Sequence, residues 1–191
     1  LSGFLGFYPL FIGLSIYLAI YYDDFKSNSM QIAIGRGMSR ERLVLTKFIE
    51  TIIMSIISLI VLALIFLILP PLISIKLEAS QVAEIIRGLL GQGLIFTGYI
   101  AISIPFIYYN QKAVSGLIIY LLLASKFILL SLTLILSQDI VISLIGNRMD
   151  YLLTNLVAIN LSNKANFLSL SINILYYLLG VFMSIEIFKK K

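Results

Sequence analysis

Hydrophobic positions in this chain fall into long blocks separated by short polar intervals. Apolar blocks cover residues 1–22, 43–69, 87–110, 113–137 and 167–188. At 1.5 Å per helical residue, about twenty residues cross a hydrocarbon core of ~30 Å. The pattern therefore predicts an all-α, polytopic membrane helix bundle with five visible spans, forming one transmembrane domain over residues 1–191. Pro70-Pro71 is read as the end of the second span. The polar turn 110–112 is so short that spans three and four must form an antiparallel hairpin. Thr97, Ala101 and Pro105 recur every four residues, giving the third span a small-residue face suited to close packing.

Two longer polar intervals, 71–86 and 138–166, fall on the side opposite that turn. The second contains two apolar pieces, IVISLI and YLLTNLVAI. Both are too short to cross, so they are expected to lie as interfacial or re-entrant helices. The glycines at 3, 6 and 13 in the first span and at 88, 91, 93 and 98 in the third read as packing devices.

Composition agrees with the pattern. Hydrophobic residues make up 60% of the 191 and charged residues 12%, against about 45–50% and 25% in a soluble domain. The mean hydropathy is +1.05. A net charge of +5 in such a chain concerns membrane orientation, so nucleic acid is not an expected partner and the lipid bilayer is. With no Cys and no His, disulfides, thiolate metal sites and histidine bases are absent. Neither a metal site nor a catalytic group is expected.

The charges sort by side. The interval 23–47 carries five Lys or Arg, the 110–112 turn one and the end of the chain three, while Lys76, Arg87, Arg148 and Lys164 fall opposite. Nine against four places 23–47 and the C-terminus in the cytoplasm, and 71–86 and 138–166 outside. No charged region precedes the first block, so it does not resemble a signal peptide. Five crossings would leave residue 1 outside; a further span ahead of it, six in all, is the expectation.

The stretch 23–47, DDFKSNSMQIAIGRGMSRERLVLTK, is a hinge between spans. Residues 27–34 can form about two helical turns, with Met30, Ala33 and Ile34 on one side and Ser27, Asn28 and Gln31 on the other. Gly35 is read as the helix stop, and Gly37 as a second change of direction. Ser39 is a suitable N-cap for a helix from Arg40. Within that helix Arg40 and Lys47 share a face, and Lys47 and Glu50 have i,i+3 spacing.

The order of these features, an acidic-aromatic pair Asp24-Phe25, a short polar helix, Gly35, Ser39-Arg40 and Lys47, resembles the permease subunits of type-2 ABC exporters. The nearest likeness is to the small Gram-positive permeases that expel bacitracin or lantibiotics. The resemblance covers nearly the whole chain, with the family's first span and its preceding helix missing. It implies a multi-pass protein of a bacterial plasma membrane, a second permease subunit, a separate ABC ATPase subunit, and an amphipathic cargo such as a peptide antibiotic. It also implies that the hinge docks in a groove of the ATPase. Phe25, Met30, Ile34, Arg36, Arg40 and Arg42 are then the coupling residues, with Met30 and Ile34 buried in that groove and the arginines meeting acids.

The chain has no G-x-x-x-x-G-K-[ST] phosphate loop, so ATP and its Mg²⁺ would be handled by the partner and no cofactor by this chain. Lys126 stands alone in LLLASKFILLS, where a mid-bilayer charge costs ~2.5–3.5 kcal/mol. It is a candidate for the substrate pathway, and equally for a structural lysine bonded to hydroxyls or carbonyls of packed helices. Two other functions compete. A membrane assembly or immunity factor would act by binding alone. A secondary transporter is disfavoured, because no carboxylate lies mid-membrane for proton coupling.

Overall fold

A computed structural model describes residues 6–27, 29–72, 74, 76–136, 138, 152–161 and 167–190. Among these the chain is helical, with no strand. In order, the elements are a π-helical turn π1 (Pro9–Gly13), α1 (Leu14–Tyr17), a second π turn π2 (Leu18–Tyr22), α2 (Asp23–Lys26) and α3 (Ser29–Gly35). They continue with α4 (Arg40–Leu72), α5 (Ala79–Asn110), α6 (Ala113–Ala124), α7 (Phe127–Leu136), α8 (Leu153–Asn160) and α9 (Phe167–Lys189). Among the described residues three helices are long and apolar enough to cross a membrane: α4, α5 and α9.

The first and fourth predicted spans differ from a single continuous helix. The first is helical but alternates π and α turns. Its tyrosines Tyr8, Tyr17 and Tyr21 are buried, while Tyr22 at its end is exposed. The fourth breaks into α6 and α7 at Ser125-Lys126, where Lys126 takes a left-handed φ of 62°. Helix α5 begins at Ala79, well before the predicted start. A capping box explains the extension: Gln81 Oε1 accepts the Glu78 N–H at 3.0 Å, and the Glu78 carboxylate accepts the Gln81 N–H. Part of the interval 71–86 is therefore helix. Pro70 and Pro71 lie within the last turn of α4, one residue before its end.

Helix α5 is the centre of the bundle, with α9, α6, α4 and α8 packed around it. Its small residues permit the approach. Gly180 of α9 rests on the backbone of Ala101, leaving no room for a side chain, so the predicted small-residue face is the contact with α9. On α8, Leu153 packs at Gly98 and Leu161 just beyond it at Gly91. Those glycines lie about 18 and 28 Å along α5 from Asn110. Helix α8 thus lies beside the middle of α5. The piece IVISLI lies outside the described residues.

The core is rich in tyrosine. Tyr17, Tyr21, Tyr99, Tyr108 and Tyr120 are fully buried beside Phe96, Ile100, Ile104 and Ile107. Hydroxyls in a dry interior need partners. Tyr17 donates to the Ala113 carbonyl at 2.8 Å and Tyr120 to the Pro9 carbonyl. Tyr8 meets Ser58 Oγ at 2.7 Å and Ser55 Oγ at 3.2 Å. These bonds join the N-terminal helical run to α4 and α6, so Tyr8, Tyr17 and Tyr120 work as interhelical ties.

Candidate functional site

The hinge folds from local signals. Ser29 Oγ donates to Asp24 Oδ1 at 2.8 Å, fixing the start of α3. At its end the Gly37 N–H bonds the Ile34 carbonyl at 2.9 Å and the Met38 N–H bonds the Ala33 carbonyl at 3.1 Å. This pair is a Schellman motif, and Gly37, with φ 94°, occupies its left-handed position. Gly37 therefore stops the helix, not Gly35, which is still helical. Two residues on, Ser39 Oγ accepts the Arg42 N–H at 3.3 Å and caps α4 as predicted.

Lys47 ties the hinge to the spanning helix. Its ammonium pairs with Asp24 and with Glu50 Oε2 at 2.8 Å, the latter being the predicted i,i+3 pair. One turn deeper, Thr51 Oγ1 lies 3.3 Å from the Tyr21 hydroxyl. A cavity of about 330 Å³ lies between α3 and the start of α4, lined by Asp24, Ser29, Met30, Leu43 and Lys47 among others.

A second set of contacts reaches the last helix. Arg40 Nη1 donates to the Phe188 carbonyl at 3.0 Å, and the guanidinium stands 5.4 Å from that residue's ring centre. The Phe188 ring packs on Tyr108 with centroids 4.6 Å apart, and Tyr108 on Phe25 at 6.4 Å. Lys189 Nζ meets Glu41 Oε1 at 2.6 Å. The hinge, the α5–α6 turn and the end of α9 are thereby gathered at one end of the bundle. These are the three segments that the charge count assigned to a common side.

The structure divides the six predicted coupling residues. Arg36 and Arg42 are exposed and form no ion pair among the described residues. Phe25 is half-buried on Tyr108, and Arg40 is engaged by Phe188. Met30 is only 5% exposed and belongs to the chain's own core, with Ile34 half-buried against it. The apolar face of α3 read from the sequence is real, but it is turned toward the bundle. Ile32 and Met38 are the apolar side chains presented outward, 51% and 37% exposed. The signal for Ile32 was available as an apolar residue on the otherwise polar face of a short helix.

Lys126 is exposed and sits at the break between helices. Its N–H donates to the Leu123 carbonyl at 3.0 Å, and its carbonyl accepts the Leu130 N–H at 2.8 Å. It ends α6 and begins α7, which replaces the expected charge within an unbroken helix. Among the described residues no cluster of acids could hold a metal ion. Comparison with family profiles, with curated proteins and with solved structures gives no match.

Proposed function

We propose that the chain is the permease half of an ATP-driven exporter in a bacterial plasma membrane, with residues 23–47 as the segment on which a separate ATPase subunit docks. The chain crosses five times, the segmented N-terminal run and α6–α7 adding to α4, α5 and α9. The hinge end faces the cytoplasm, and 71–86 and 138–166 face outward. Two such permeases pair to enclose an amphipathic cargo.

One observation carries the reading. The hinge is a capped, ion-paired element presenting Ile32, Arg36, Met38 and Arg42 outward at the end where the positive charge collects. A plain connecting loop needs neither a Schellman stop nor a salt bridge into the next helix. Two exposed apolar side chains flanked by two unpaired guanidiniums suit an apolar groove with an acidic rim. Displacement of α3 by the ATPase would pass to α4 through Asp24–Lys47 and to α9 through Arg40–Phe188.

The test is Ile32→Asp with Met38→Asp. Both positions are exposed, so the bundle should persist. Recovery of the ATPase with the purified permease, and ATP-dependent export, should fall together at equal membrane levels. Unchanged recovery and export would return 23–47 to the status of a loop. If no ATPase is recovered with the unmutated chain and no ATP-dependent export is seen, an assembly or immunity factor acting by binding alone becomes the better account.

A further inference from the structure

On the outer flank of the α5–α9 contact lies an open groove of about 430 Å³. Helix α5 contributes Ile102, Pro105, Phe106 and Tyr109, which recur at helical spacing on one face. Helix α9 answers with a face that includes Leu179, Gly180 and Met183. Gly180 opens the groove, since it offers no side chain where the two backbones meet. Its walls carry almost only carbon, apart from Tyr176 on α9 and, near the hinge end, Tyr109, which is 59% exposed. Just past that end stand two exposed lysines, Lys112 in the turn that leads into α6 and Lys190 directly after the last residue of α9. Neither lysine forms an ion pair among the described residues, whereas neighbouring Lys189 is held by Glu41 and Glu186.

We infer that this groove is a site for one anionic phospholipid of the hinge-side leaflet. An acyl chain lies against Ile102, Phe106 and Met183, the Tyr109 ring sits at headgroup level, and Lys112 and Lys190 meet the phosphate. Apolar walls running along the bilayer favour a chain, and two cations at the water end favour a head with net negative charge. A zwitterionic head satisfies one lysine and sets its own ammonium against the other. The site does not depend on the transport reading.

The chain contains no tryptophan, so a single introduced indole reports without background. Phe106→Trp places one in the groove, and Ile60→Trp, on the exposed face of α4, samples ordinary surrounding lipid. Each variant is reconstituted in vesicles containing phosphatidylglycerol or phosphatidylcholine with brominated acyl chains, which quench by contact. The groove indole should prefer brominated phosphatidylglycerol by on the order of tenfold over the control. Adding Lys112→Gln and Lys190→Gln should abolish that preference while quenching by either lipid persists. Equal preference at the two indoles would overturn the proposal, as would preference that survives loss of both lysines. Absence of quenching by both lipids at Phe106→Trp would show that protein, such as a second copy, covers the groove.

Discussion

Helices α4 and α5 are nearly equal in length and opposite in role. The most apolar window of α4 has a mean hydropathy of 3.3 and is 6% buried within the chain, while that of α5 has 1.6 and is 61% buried. In water the greasier helix would be the core. In a bilayer lipid solvates hydrocarbon as well as a neighbouring helix does, so burial follows small residues and satisfiable polar groups. Helix α5 has them in Gly91, Gly93, Gly98 and Ala101 and in Ser103, whose hydroxyl donates to the Tyr99 carbonyl at 2.6 Å. Helix α4 presents Ile53, Ile56, Ile60, Leu64 and Ile68 outward, and its polar ties include those of Lys47, Thr51, Ser55 and Ser58, from near the hinge to its middle.

Substitutions can break this contrast. The largest effect is expected at Gly180→Leu, where any side chain collides with the Ala101 backbone. Forcing α9 off α5 should cost at least about 3 kcal/mol, lowering the unfolding midpoint of the purified protein by roughly 10 °C. Next is Lys47→Met, which strands the partly buried Asp24 carboxylate. A loss of about 2 kcal/mol is expected, and adding Asp24→Asn should restore most of it in a double-mutant cycle. Tyr120→Phe removes the tie to the Pro9 carbonyl at a cost of ~1 kcal/mol. The smallest effect belongs to Ile60→Ala on α4, below about 0.5 kcal/mol. A core-sized loss there, read in the same thermal assay, would mean that α4 is covered by another protein surface.

The contrast also explains what was legible in the sequence. Hydropathy located α4, α5 and α9, because crossing a bilayer depends on length and composition alone. Local chemistry was legible as well: the Ser39 cap and the Lys47–Glu50 pair each depend on residues within one helical turn. The break at Ser125-Lys126 was not visible, since an apolar run with no Gly or Pro near that point reads as one helix. The early start of α5 hung on Glu78 and Gln81, polar residues that looked like loop. Which way Met30 points is a tertiary matter: a two-sided helix shows that one face is covered, and leaves open whether its own chain covers it. Gly35 and Gly37 posed the same kind of ambiguity, resolved only by the backbone bonds from Gly37 and Met38.

The contact between Lys189 and Glu41 has a practical consequence for anyone handling the protein. A fluorescent protein or affinity handle fused just beyond Lys190 would be moored within a helical turn of Glu41 and Arg42. Its bulk would crowd the start of α4, beside the hinge through which a partner is proposed to bind. A chain labelled that way could insert, fold and purify normally, yet fail to capture the proposed ATPase by obstruction alone. Handles are better carried by a long spacer.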